Sequence, residues 1–325
     1  MSKKIEIAVK TKSDGKTYEI SELIRDISYT DRLNDGCSKL EFTYINDDLI
    51  LQNADVLWLK YDGTNVFYGY IFKVGRTSGK EITITAYDQL RYAKAKDYMY
   101  IKGDTLTSLV NKMCSHFNFV KGYIADSAYV LSTQTFDGDT WLDIIYTGIS
   151  ETLMNKSKLY CLRDEFGKVT LRDLDNLRLD LMLGDKSLCY DFTHEKSIDD
   201  SFYNLVILLV EIETESNTGS SSSKTAQFVN SKDESSIEDY GLMQYYEKVQ
   251  NSTVAQAKSK AEALLKLYNR ETETLTLECI GDIRIRAGSS FSVYLSDLDI
   301  NKQMYVKSVT HKFLPTHTMS IEVAV

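Results

Sequence analysis

No CxxC or CxxH spacing occurs among the five cysteines, Cys37, Cys114, Cys161, Cys189 and Cys279. That scatter argues against a zinc site, and an odd, dispersed set suits reduced core thiols made in a reducing cytosol. Histidine is also scarce, with His116, His194, His311 and His317 the only four, and no HExxH helix motif is present. The GxSxG elbow and the GxxxxGK[ST] and GxGxxG phosphate loops are missing. Nowhere does an apolar run reach the roughly 18 residues of a membrane span, so no membrane insertion is expected. The opening MSKKIEIAVK lacks the apolar stretch of a secretory leader, and synthesis inside a cell is the expectation. Proline is unusually rare, with Pro315 standing alone.

Tyrosine, by contrast, is abundant at 22 residues, and it suits half-buried strands whose rings pack while their hydroxyls reach water or a partner. Hydrophobic residues at 43% and charged residues at 26% are ordinary for a globular chain with a real core. The net charge of −9 is uneven, because residues 191–325 hold 20 acidic against 13 basic side chains. That acidic third repels phosphate backbones. The stretch YDQLRYAKAKDYMYIKG, residues 87–103, nevertheless interleaves four tyrosines with one arginine and three lysines, the pattern of a nucleic-acid platform.

Strand periodicity dominates the first hundred residues. KIEIAV alternates, VFYGYIFKV puts Val66, Tyr68, Tyr70, Phe72 and Val74 on one face, and KEITITAY puts Ile82, Ile84 and Ala86 on another. DGT at 62–64 and TSG at 77–79 read as hairpin turns. A compact antiparallel barrel or sandwich is expected over 1–95. The period then becomes helical: Leu106, Leu109, Val110, Met113, Cys114 and Phe117 form one stripe. Trp141, Ile144, Ile145, Gly148, Ile149 and Leu153 form a second. LYCLRD and KVTLRD flank an EFG turn and predict a hairpin, so residues 96–190 read as a small mixed α/β domain. Strands return over 191–325 with FYNLVILLVEIE, KTAQFV, TLTLECIG, DIRIRAG, SFSVYL, QMYVKSV and MSIEVAV. A flexible loop at 215–223 and an inserted helix at about 253–269 interrupt them.

Candidate chemistry is thin. Cys114 and His116 point in different directions on one helix, and Cys114 belongs to its apolar stripe. Asp137 and Asp139 precede a helix and are expected to cap it. Asp199 and Asp200 form a solvated acidic pair, and His311 and His317 are expected in a solvated turn around Pro315. Arg284 and Arg286 share one face of a predicted strand, either an exposed face leading into a Gly turn or, together with Arg91, candidate intersubunit contacts.

The blocks YDQLRYAKAKDYMY, TWLDIIYTGISETL, YCLRDEFGKVTLRDL, LLKLYNRETETLTLECIGDIRIRAGS and HTMSIEVAV run in order from about residue 15 to the C-terminus. Together they resemble the XkdQ-like baseplate hub of PBSX-type prophages, which is related to the central hub of T-even phages and the N-terminal part of VgrG. The ESNTGSSSSK insert departs from that pattern. The resemblance implies a mainly β fold with α+β character, in which two tail-tube-like antiparallel β-barrels, at 1–95 and 191–325, accompany the mixed α/β domain at 96–190. It also implies a non-enzymatic structural hub of a contractile phage tail or phage-tail-like bacteriocin. Such a hub forms a homotrimeric ring adapting the sixfold tube to the threefold spike, and it works without a cofactor. The implied partners are the tail tube protein, the spike protein and other baseplate components such as a LysM-type tail protein. Assembly into the baseplate of a virion or phage-tail-like particle is implied, with DNA passing through the lumen but not specifically bound. The alternatives are a tail-associated cell-wall-degrading enzyme and a host-surface carbohydrate-binding β module. In the hub, YDQLRYAK would close the first barrel and cross into the middle domain.

Overall fold

The computed structural model describes residues 5–45, 49–76, 78–185, 187–199, 201–214, 223–249 and 253–324. Thr77 of the TSG turn, Asp200 of the acidic pair and residues 215–222 of the predicted loop lie outside them. The fold is mostly antiparallel β with few helices, and it divides into two compact units, residues 1–193 with 275–325, and residues 194–274.

The first unit begins with seven strands. They are β1 (Ile5–Lys10), β2 (Thr17–Glu19), β3 (Ile24–Arg32), β4 (Lys39–Ile45), β5 (Val56–Tyr61), β6 (Thr64–Arg76) and β7 (Glu81–Tyr87). Their order is β3-β4-β7-β6-β5-β1-β2. Tyr18 of β2 and Tyr29 of β3, at opposite ends of this order, share one core with Phe42, Leu57, Leu59 and Ile84, so the sheet rolls around that core. Asp62 (φ 52°) and Gly63 (φ 74°) build the tight turn read from DGT. Register shifts in β6 move Phe67 and Ile71 to the core. The opposite face presents Tyr68 to Phe166 at 5.8 Å, Tyr70 to Tyr92 at 5.5 Å and Phe72 to Tyr87 at 5.7 Å. The tyrosine stripe is therefore real, but it faces the middle segment.

That middle segment holds β8 (Lys96–Ile101), α1 (Leu106–His116), β9 (Lys121–Ile124), β10 (Gln134–Thr140), α2 (Trp141–Lys156), β11 (Tyr160–Asp164) and β12 (Val169–Asp173). Leu106, Leu109, Val110, Met113 and Cys114 of α1 are buried against Leu142, Ile145 and Ile149 of α2. Leu153, expected on the α2 stripe, is exposed instead. Both helices start at a threonine in a reciprocal capping box: Thr105 with Ser108 and Thr140 with Asp143. Thr140 thus supplies the cap expected of Asp137 and Asp139, which flank a bulge in β10 around Gly138 (φ 85°).

β13 (Arg178–Gly184) and β14 (Cys189–Ser197) follow. The second unit contains β15 (Leu205–Thr214), β16 (Ser223–Lys232), α3 (Glu234–Tyr240), β17 (Gln244–Val249) and α4 (Val254–Tyr268). β15 lies between antiparallel β16 and parallel β17, and Val206, Leu208 and Val210 bury against Ala257 and Ala261 of α4. The chain then returns through β18 (Thr272–Ile280), β19 (Ser290–Leu295), β20 (Ile300–Lys312) and β21 (Thr318–Ala324). DIRIRAG is not a strand: residues 281–289 form turns between β18 and β19. In the first unit β18, β21, β20 and β19 enclose Leu277, Phe291, Val293, Val306 and Ile321, and β13 joins them parallel to β19. The stretch expected as one barrel over 191–325 is thus interrupted by the compact unit at 194–274, and it recruits β13 from upstream.

Gly184 closes that last contact. Its φ is 127°, and a Cβ there would stand 1.8 Å from the Tyr294 carbonyl oxygen. Gly184→Ala is expected to lower stability in urea by roughly 2–4 kcal/mol, through backbone strain plus overpacking. Gly63→Ala, with nothing within 4 Å of the added methyl, should cost about 1 kcal/mol, from the strained φ alone.

Candidate functional site

The feature that joins the two strand sets of the first unit is a seam between β3 and β20. Ser28, Tyr29, Thr30, Asp31 and Arg32 pair antiparallel with Lys312, His311, Thr310, Val309 and Ser308, while β4 pairs with the other edge of β3. The Thr30 and Thr310 hydroxyls meet across it at 3.1 Å. Alternation sends Ile27, Tyr29 and Asp31 inward, which buries a carboxylate 2% exposed. A buried charge needs a partner, and the Arg286 Nε–H donates to Asp31 Oδ2 at 2.8 Å. The same guanidinium lies 5.8 Å from the Tyr29 ring centre and donates from Nη1 to the Asp164 carbonyl at 2.9 Å. Arg163 and Cys161 reach back to the Ala287 carbonyl at 3.2 and 3.8 Å. The turns at 281–289 are thereby clamped between the seam and the β11–β12 hairpin.

A second layer of polar contacts surrounds this clamp. Ser38 Oγ donates to Asp31 Oδ1 at 3.0 Å, and the Ser38 N–H donates to Asp88 Oδ2 at 2.7 Å. Asp88 Oδ1 accepts the Leu90 N–H at 2.9 Å and starts the short 3-10 turn Gln89–Lys94. Gln89 Nε2 donates to Asp164 Oδ2 and the Gly167 N–H to Asp164 Oδ1, both at 2.6 Å. Burial and the nearby Asp164 charge hold the Asp88 carboxyl well above its usual range, and burial raises Asp164 to about 6. Paired acids with raised pKa values are a signature of catalysis when a cleft exposes them. Here Asp88 and Asp164 are 1% and 4% exposed, and each oxygen named above accepts a hydrogen bond from the chain itself, so the pair positions three segments. Asn34 adds an anchor, donating to the Tyr160 carbonyl at 2.7 Å while accepting the Leu162 N–H at 3.0 Å.

His311 and His317 correct the expectation of a solvated turn: both are buried, beside the cis Leu314–Pro315 bond. His311 Nε2 donates to the Ile285 carbonyl at 2.9 Å, so its Nδ1 accepts from His317 Nε2 at 3.0 Å. Tyr29 and Phe313 stack near the His311 ring at 6.1 and 6.0 Å. Burial depresses the His311 pKa to about 4, keeping the imidazole neutral. Among the described residues no group of three His, Cys, Asp or Glu side chains could hold a metal. Cys114 is buried and its thiol is raised to about 11 by burial.

Of the three arginines singled out from sequence, Arg286 is engaged inside the chain. Arg284 makes a two-pronged bond to Asp282 at 3.0 and 2.5 Å, with its side chain 61% exposed. Arg91 lies over the Phe72 and Tyr87 rings at 5.4 and 6.0 Å. The YDQLRYAK stretch is therefore an aromatic bracket between β6 and the middle segment, with Tyr92 against both Tyr70 and Phe72. Asp31, Ser38, Asp88 and Asp164 were not singled out from sequence. The available signal was phase, since Asp31 follows Ile27 and Tyr29 at inward positions of β3, and Asp88, just past the end of β7, continues the phase of Ile82, Ile84 and Ala86.

Two outcomes follow from this geometry. Arg286→Met strands Asp31 in the core and is expected to cost about 3–5 kcal/mol in urea unfolding, with partial recovery in Arg286→Met/Asp31→Asn. Asp164 keeps its proton to about pH 6 in the fold but releases it near 3.8 when unfolded. The folded chain therefore binds more protons in that window, and the contribution of Asp164 is full below pH 4 and is lost as pH rises to 6. His311 works the other way, adding stability as pH rises from about 4 to 6.5. The difference between Asp164→Asn and the parent chain isolates the carboxylate. It should grow in favour of the variant from pH 4 to 6.5, by about 1–3 kcal/mol, when urea midpoints are measured across that range.

Residues 27–324 match the YqbQ-like family model. The uncharacterized protein YqbQ of Bacillus subtilis strain 168 is 24% identical over 279 residues, which cover 84% of this chain and 82% of that protein. The phage-like element PBSX protein XkdQ of the same strain is 24% identical over 280 residues, again 84% and 82% of the two chains. In fold, the chain is similar to the 43 kDa tail protein of prophage MuSo2 from Shewanella oneidensis (TM-score 0.68, 13% identity, 99% and 98% covered). It is also similar to a tail protein from Neisseria meningitidis MC58 (TM-score 0.65, 14% identity, 98% and 96% covered). A VgrG complex from Francisella shares the fold at a TM-score of 0.55 and 11% identity, over 99% of this chain and 57% of that one. With nearly its whole length matched by the family model, the chain belongs to the YqbQ-like family.

Proposed function

We propose that this chain is a structural subunit of the baseplate hub of a contractile phage-type tail, and that three copies close into a ring adapting a sixfold tube to a threefold spike. The observation that carries this reading is the β3–β20 seam, by which one chain joins two curved strand sets edge to edge. Two tube-like modules per chain make six in a trimer, which is the symmetry match the adaptor needs. The relative XkdQ belongs to a phage-like element, and the solved neighbours include a prophage tail protein and a second tail protein, in keeping with the same role. The work of such a subunit is geometric and non-enzymatic, and the clamped turns and buried acid pair suit it, because they hold modules rigidly. Its partners are further copies of itself, a tube protein above, a spike below and neighbouring baseplate components such as a LysM-type tail protein, with assembly in the baseplate. Net acidity (−9) suits a lumen through which DNA slides without sticking.

The exposed Arg284, together with Arg91, is available for contact between copies, whereas Arg286 already serves inside the chain. Light scattering of the purified chain, alone and mixed with its tube and spike proteins, should give a mass three times that of one copy, and tail images should show threefold hub density. A persistent monomer in every mixture would overturn the hub reading. Arg284→Glu is expected to shift the trimer toward monomer and, by setting a second carboxylate beside Asp282, to lower stability in urea by about 0.5–1 kcal/mol. A trimer that survives it removes Arg284 from the interface but leaves the hub intact.

A further inference from the structure

Strands β14 and β18 are neighbours in the sheet, and the Ile280 N–H donates to the Leu188 carbonyl at 2.9 Å. Farther along the same strands His194 Nε2 and Glu273 Oε1 lie 2.7 Å apart, so the two run antiparallel. One step from the Leu188–Ile280 contact places Cys189 opposite Cys279. The two sulfurs thus face each other across the strand pair, and the Cys189 thiol also donates to the Asp191 carbonyl at 3.1 Å. Residues facing each other across antiparallel strands have Cα atoms about 4.5–5.5 Å apart, within the roughly 4.4–6.8 Å that a disulfide spans. Cys279 is fully buried, while Cys189 is half-buried and reachable from solvent.

We infer that Cys189 and Cys279 are a thiol pair that closes to a reversible disulfide when the chain meets a peroxide-class oxidant, stapling together the strands through which residues 194–274 leave and rejoin the first unit. The half-exposed sulfur is also the one suited to attack. The facing Cys279 thiol lowers the Cys189 thiol to about 7 against the opposing effect of burial, and the same pairing holds Cys279 as a thiol. The Cys189 thiolate attacks one peroxide oxygen, breaking the O–O bond and forming a sulfenic acid, and the departing hydroxide takes up a proton to become water. The Cys279 sulfur then attacks the sulfenic sulfur, loses its proton and expels a second water. Two thiols and one hydrogen peroxide thus yield one disulfide and two waters. The cross-link encloses residues 190–278, a long loop, and long loops restrict the unfolded chain most. The remaining cysteines serve as internal controls, because burial raises Cys37 and Cys161 to about 12 and Cys114 to about 11.

The test treats the purified full chain with graded hydrogen peroxide, blocks free thiols, and maps peptides by mass spectrometry without reductant. The expected result is loss of two of the five thiols, one peptide pair joined through Cys189 and Cys279, and a urea midpoint raised by oxidation and restored by dithiothreitol. The rate of loss should rise with pH through about 7. Cys189→Ser alters the half-exposed partner and leaves the buried sulfur in place. At the same peroxide dose it should retain all four remaining thiols and show no midpoint shift. Cys189 driven to sulfinic or sulfonic acid beside an intact Cys279 thiol would overturn the inference. A cross-link joining other cysteines would also overturn it, as would full retention of thiols at doses that oxidise free cysteine.

Discussion

A single buried ion pair organises the core of this protein. Asp31 falls on the inward phase of a strand, where a carboxylate is tolerated only with a cation beside it, and Arg286 supplies that cation from a turn more than 250 residues later. The pairing also determines where everything near it must lie. Arg286 brings the 281–289 turns under the β3–β20 seam, and its second bond, to the Asp164 carbonyl, brings in the β11–β12 hairpin. Three stretches far apart in sequence meet because one guanidinium has several donors in a rigid fork and an aromatic face to lie on.

The layers around that pair extend the same logic. Asp88 and Asp164 lie in a region that disfavours their charged forms, and they are held by backbone and amide donors of the chain. The neutral His311, bonded to His317 on its other nitrogen, fastens the turns from the other side through the Ile285 carbonyl. Such networks are poor sources of net stability, but they penalise alternative packings severely, since any displacement leaves a buried polar atom unmatched. For a subunit proposed to hold two strand modules at a set angle, that penalty is the useful property.

The aromatic bracket around Arg91 is a different way of joining segments. Tyr68, Tyr70, Phe72, Tyr87 and Tyr92 pack edge to face, with the cation over two of the rings. Two of the four tyrosines in the basic 87–103 stretch, Tyr87 and Tyr92, are engaged in these contacts, whereas Tyr98 and Tyr100 are exposed.

Local pattern was sufficient for much of the fold. Alternation located β1, β6, β7 and the β11–β12 hairpin, and helical stripes located α1, α2 and α4, because each element buries one face and its period survives in the sequence. The order of five short blocks was enough to indicate the family. Other features depended on partners remote in the chain. DIRIRAG reads as a strand, yet hydrogen bonds from Arg286, His311 and Cys161 to distant groups hold it as turns. The polar clamp was invisible for the same reason, since an aspartate at an apolar phase signals a buried partner without saying which arginine supplies it. Sequence alone determined the periodicity of the elements and hence a mainly β chain with a helical middle. Only the tertiary structure decided which strand edges meet, because edge pairing and buried charge are satisfied by groups that chain folding, not chain order, makes neighbours.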